Sequence, residues 1–218
     1  ISVVKNARGE LDTADSNIVT LNSILETVYE KATKAGGASS QDSMDAIAEE
    51  LGGLKEEILQ TMNAKYGDKF LFSGSSNSEA PFTVDGDGNL LFNGKPVDAY
   101  DKNDPDTYFD ENKPVYLDIG FGTYASGTNT AKTGIKISTS GVDVLGYGKD
   151  ENGLPNNLYS LIGKMEEQLR GGDREGAMDT LSQLKKKQSN ISIATSELGT
   201  REKLLDRTED RLETGLIL

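Results

Sequence analysis

Asp85, Asp87 and Asn89 stand at alternate positions in DGDGN, the spacing with which a loop wraps oxygen ligands around a calcium ion. An EF-hand loop also needs glycine at its sixth place and glutamate at its twelfth, and here those places hold Leu90 and Pro96. Asp, Asn and Gly equally suit a tight turn, because they tolerate positive φ. A turn is therefore expected, with Asp85, Asp87 and Asn89 as the candidate metal ligands. GFGTYASG, at 120–127, has the Gly120 and Gly122 spacing of a phosphate loop, but Ala125 takes the third glycine's place and no helical pattern follows. A strand-end turn is the simpler expectation.

Carboxylates come in adjacent pairs at Glu49-Glu50, Glu56-Glu57 and Glu166-Glu167, which raises glycoside chemistry. Neighbours on a helix point apart, so none of these pairs converges. Lys185-Lys186-Lys187 is the basic run, and it reads as a solvated face or as salt-bridge partners on an acidic amphipathic helix. The 218 residues contain no Cys and no His. That removes disulfides, thiolate metal sites, thiol nucleophiles and the commonest general base together. No enzyme and no cofactor is expected. A net charge of −13 argues against nucleic acid, whose phosphates need clustered Lys and Arg. No apolar run reaches the length that spans a bilayer, so no membrane insertion is expected, and no cleavable signal is visible.

The apolar residues fall into long periodic stripes. Val4, Ala7, Leu11, Ala14, Ile18, Leu21, Leu25, Val28 and Ala32 alternate steps of three and four, a heptad seam against a partner helix. Gly36-Gly37 closes it, and Ser39-Ser40-Gln41-Asp42 offers caps for a second helix with Met44, Ile47, Leu51, Leu54, Ile58 and Met62 on its face. The short link predicts an antiparallel hairpin. Near the other end, Asn156-Asn157 caps a short helix carrying Leu158, Leu161, Met165 and Leu169, stopped by Gly171-Gly172. From Asp173 a single helix is expected to about Thr214, a rod of roughly 60 Å. Its stripe puts Gln188, Thr195, Glu202 and Glu209 at one seam position, so this seam is half polar.

Between the arms, glycine-rich punctuation separates short apolar runs: FLFSG, FTV, NLLFNG, PVYLDIGFG, GIKIST and VDVLGYG. FTVDGDGNLLF predicts a β-hairpin, and alternation is clear at Ile135 and Ile137. The fold class expected is α+β: an elongated antiparallel helical bundle from 1–66 and 154–218, with an inserted β-rich domain at 67–153.

NAKYGDKFLFSGSSNSEAPF, Asn63 to Phe82, resembles the segment after the first helical hairpin in the flagellar hook–filament junction proteins, the FlgL type of hook-associated protein in the flagellin family. Asn63, Gly67, Phe70, Leu71, Phe72, Ser73, Gly74, Pro81 and Phe82 carry the match. SELGTREKLLDRTEDRLE is similar to the family's returning helix through Leu198, Gly199, Arg201, Leu205 and Leu212. Flagellin itself is the near alternative, although its FNG run and arginine-rich patch are replaced here by FLFSG and by Val28-Tyr29-Glu30-Lys31.

The resemblance implies a structural subunit exported to the flagellum without a cleaved signal and assembled with its own copies as a ring. It also implies contacts with the neighbouring hook-associated protein and with flagellin, and a cytoplasmic export chaperone. Both tube-lining coiled-coil segments of the family are expected to be missing from this core fragment, which should then be monomeric. From another class, a calcium-dependent adhesin on a helical stalk would use DGDGN.

Overall fold

The first heptad seam folds as one helix, α1 (Ser2–Ala35), with every residue of the predicted stripe buried. The computed structural model describes residues 2–74, 79–109, 115–118, 122–125, 134–136 and 138–216. Gly36-Gly37 ends α1, and Ser40 caps α2 (Gln41–Met62), its hydroxyl accepting from the Ser43 N–H at 3.1 Å. The two helices form the expected hairpin. α4 (Leu158–Arg170) packs on α2, with Asn157 as N-cap, and α5 (Arg174–Lys187) follows after Gly171-Gly172 with Asp173 as N-cap. At the hairpin end, Gln41 Nε2 donates to Leu169 O at 2.8 Å and Arg174 donates to Ala38 O, so the tips of four helices are tied together.

The helix expected from Asp173 to Thr214 is two helices. α6 (Ser189–Leu216) begins after a one-residue interruption at Gln188. Gln188 keeps helical angles, φ −63° and ψ −15°, but Ile191 N–H bonds to Gln188 O in a tighter i→i+3 step. The apolar stripe runs through the break in register: Leu184, Ile191, Leu198 and Leu205 are all buried. α6 lies antiparallel against α1, Gln188 beside Tyr29 and Glu209 beside Arg8.

The strands are short. β1 (Lys65–Tyr66) and β2 (Lys69–Phe70) make a tight hairpin over Gly67, φ +62°. Tyr66 rests on Gly9 of α1, where any side chain would collide with its hydroxyl. FLFSG is less of a strand than its residues suggest: β2 stops at Phe70, and Leu71 and Phe72 turn into the core. β3 (Phe82–Val84), β4 (Leu90–Phe92) and β5 (Lys95–Pro96) form one antiparallel sheet in sequence order, so the FTVDGDGNLLF hairpin is as predicted. β6 (Val115–Asp118), β7 (Gly122–Ala125) and β8 (Gly134–Lys136) form a second, in the order β7-β6-β8. Ile137 lies outside the described residues.

VDVLGYG, expected among the strands, instead forms a short helix, α3 (Gly141–Leu145), packed against α6. Glycine decides this at both ends. Gly141 lies so close to the Phe82 ring that no side chain fits, and Gly146, φ +95°, ends the turn by donating to Val142 O at 2.8 Å. One apolar cluster runs from the seam of α1 through Met62 and Phe72 to Phe82, Phe92 and Phe109.

Candidate functional site

DGDGN is a self-satisfied turn. Asp85 Oδ1 accepts the Asp87 and Asn89 N–H groups at 2.9 Å each, and Oδ2 accepts from Asn89 Nδ2 at 3.2 Å. These bonds hold the Asp85 carboxyl below its ordinary range, and the backbone closes the loop from Asp85 N–H to Asn89 O at 3.0 Å. Both Asp85 oxygens thus already accept bonds within the turn, and among the described residues no group of three or more His, Cys, Asp or Glu side chains is placed to hold a metal ion. Gly122–Ala125 of GFGTYASG is strand β7, while Gly120 and Gly127 lie outside the described residues.

The paired glutamates diverge as expected. Glu50 meets Lys31 at 3.5 Å, Glu49 meets Arg170 at 3.6 Å, and Glu166 meets Lys55 at 2.7 Å. The lysine run divides by role: Lys185 sits over the Tyr29 ring, Lys186 is exposed, and Lys187 is folded inward.

What the elements do bring together is a junction of arms and strands. Asn63, at the end of α2, accepts the Phe82 N–H at 2.9 Å and donates Nδ2 to Phe82 O at 2.8 Å, standing in for a strand partner. Phe72 O accepts the Gly141 N–H at 2.9 Å, Ser73 pairs with Ser140, and Asn93 Nδ2 donates to Ser73 O at 3.2 Å. Phe82 packs on Phe92 with ring centres 5.2 Å apart, and Phe92 meets Phe109 edge-on at 5.4 Å. Asn63, Phe82 and the FLFSG residues Phe72 and Ser73 therefore knit α2, α3 and the β3–β5 sheet into one node. Sequence reasoning quoted these residues without seeing that Asn63 and Phe82 touch; their joint presence nineteen positions apart was the signal.

The second constellation is the α1–α6 seam, where three of the four polar positions, Gln188, Thr195 and Glu209, find hydrogen-bond partners. Tyr29 Oη donates to Gln188 Oε1 at 2.6 Å, and Gln188 Nε2 donates to Asn22 Oδ1 at 3.0 Å. Burial pushes the Tyr29 hydroxyl up to about 12. Thr195 donates to Ile191 O at 2.9 Å, which removes its need for a partner across the seam. Arg8 Nη1 donates to Glu209 Oε2 at 2.9 Å, and Arg8 Nε lies 3.1 Å from Asp206 Oδ1. Glu202 is the poorly served member: its Oε1 is shut off from solvent with no donor among the described residues. Desolvation, then the charges of Asp15, Asp12 and Asp206, push its carboxyl above the ordinary range. Sequence spacing located these seam positions, but which of them were paired depended on α1.

No protein-family profile matches the chain, and no curated protein does. Solved structures do. FlgL of Bacillus cereus superposes with a TM-score of 0.69 at 16% identity, covering 99% of this chain and 89% of that one. FlgL of Xanthomonas campestris gives 0.64 at 15%, over 99% and 93%. Flagellar hook-associated protein 3 of Legionella pneumophila gives 0.64 at 16%, over 99% and 91%. Arms, node and strands together, the chain has the fold of the FlgL hook-associated proteins.

Proposed function

We propose that the chain is a structural subunit of the bacterial flagellum, placed outside the cell as a ring that joins hook to filament. The observation that carries this reading is the near-complete superposition on hook-associated proteins across both arms and the strand-rich part. The FLFSG node and the α1–α6 seam support it as a rigid axial body rather than a reaction site. On this reading the mechanism is mechanical: parallel-axis helices carry load along the subunit, while the strands of 67–153 face neighbours as an inserted domain. Its partners are its own copies, the adjoining hook-associated protein, flagellin and a cytoplasmic export chaperone. No helix among the described residues is long and apolar enough to cross a membrane, which suits an exported subunit.

Electron microscopy of flagella from cells carrying an epitope-tagged full-length protein tests the reading. A single band of label at the hook–filament boundary is expected, and deletion should leave hooks without filaments. Label along the whole filament would make the chain a flagellin and overturn the junction role.

A further inference from the structure

The chain spends an unusual amount of polar contact on one place, the interruption between α5 and α6. Lys187, the last residue of α5, has a side chain only 14% exposed. Its ammonium donates to Asp150 Oδ2 at 2.9 Å, Pro155 O at 3.0 Å and Asn156 Oδ1 at 3.0 Å, so all three of its protons are matched. The acceptors belong to one closed turn just before α4. Within it Asp150 Oδ1 accepts the Asn152 and Leu154 N–H groups at 2.9 Å each, and Lys149 bridges to Pro155.

One residue further on, the helical ladder breaks at Gln188, and Gln188 is pegged to Tyr29 and Asn22 on α1. The break thus falls between two anchors on different bodies, the 149–156 turn and α1. The apolar stripe does not call for it, since Leu184, Ile191 and Leu198 stay in register through it. Beside the break lies an open cleft of about 540 Å³ whose lining includes Val142, Tyr147, Asn156, Lys186, Lys187 and Ser189.

We propose that the α5–α6 interruption is a conformational joint, and that the Lys187 clasp on the 149–156 turn locks its setting. With the clasp closed, the four-helix end and the α1–α6 end hold one relative orientation. With it open, α6 gains a second orientation about Gln188. The reading stands apart from the flagellar role, because it concerns how this one chain bends.

The chain contains no cysteine, so spin labels go where they are placed. Ser182→Cys and Thr200→Cys put exposed labels on either side of the break. Electron–electron distance measurement should give one narrow distribution in this background. Adding Lys187→Met or Asp150→Asn should broaden it or add a second distance, whereas Lys186→Met should leave it narrow. In hydrogen exchange, Lys187→Met should accelerate amides 186–191 by about tenfold or more with α2 unchanged. A native-width distribution in both Lys187→Met and Asp150→Asn overturns the proposal. So does acceleration spread evenly over all helices, which would make the lysine a general stabiliser. Where Lys187→Met loses its helical circular dichroism, the Asp150→Asn distribution alone decides, because the amide keeps one oxygen for the turn N–H groups but can no longer accept from Lys187 through its second atom.

Discussion

Asn63 shows how much one side chain can carry when its geometry is right. Its amide supplies a donor and an acceptor to the same residue, Phe82. Asn63→Ala should cost about 2 kcal/mol in urea unfolding, since two backbone groups beside the core lose partners. Asn63→Asp should cost as much, because a carboxylate cannot donate to Phe82 O. Glu202 works in the opposite sense. Its folded-state carboxyl is raised, so folding holds a proton that the unfolded chain would release. Stability should therefore fall as pH rises from the ordinary glutamate range through the raised value. Glu202→Gln should stabilise the fold slightly at pH 7, by no more than about 0.5 kcal/mol at a part-exposed and screened site. That advantage should vanish in acid. Asp150, held below its ordinary range chiefly by Lys187, has the reverse dependence: its contribution is present above the unfolded carboxylate range and lost in acid. Melting curves from about pH 2 to about pH 7 on the single variants separate the two.

At the scale of elements, the α2–α4 pair is set by a half-hidden charge pair in a notch. Lys55 and Glu166 lie 2.7 Å apart with side chains 19% and 14% exposed, and Lys55 also covers the Tyr159 ring. Gly52 and Gly163 leave the space: a methyl on Gly52 would press on Glu166 at 3.1 Å, and one on Gly163 would touch Lys55 at 3.5 Å. Lys55→Met alone strands a carboxylate and should cost about 2 kcal/mol, whereas the double change with Glu166→Leu should return most of it. A double-mutant cycle in denaturant measures the difference. Elements of this kind were unevenly legible. α1, α2 and α4 could be bounded from stripes and caps because local periodicity dictated them. α3 could not: Val142 and Val144 favour a strand locally, whereas the close approach of Gly141 to Phe82, the positive φ of Gly146 and the packing on α6 all involve contacts or turns that this preference does not show. The break at Gln188 was equally hidden, since the residues bonded around it, Asp150, Tyr29 and Asn22, stand far away in the chain.

For the molecule as a whole, the order helices, strands, helices already required the two arms to pack together, and the heptad stripes said along which face. The node at Asn63, Phe72 and Phe82 was legible as a run of notable residues but not as a meeting of three elements. Those contacts join residues far apart in the chain, and no local pattern encodes such distances. The wide separation has kinetic content. α1 and α2 meet through a five-residue link, but Arg8 meets Glu209 across 201 positions. Pulsed hydrogen exchange during refolding should protect α2 and α4 before residues 2–14 of α1. Simultaneous protection would mean that the seam forms with the hairpin.

Timing on the ribosome follows from the same pairing. The first two turns of α1 wait, apolar edge bare, until the stretch around Glu209 has emerged, because that stretch shelters them. A polypeptide arranged in this way stays pliable for as long as α6 is kept from docking on α1.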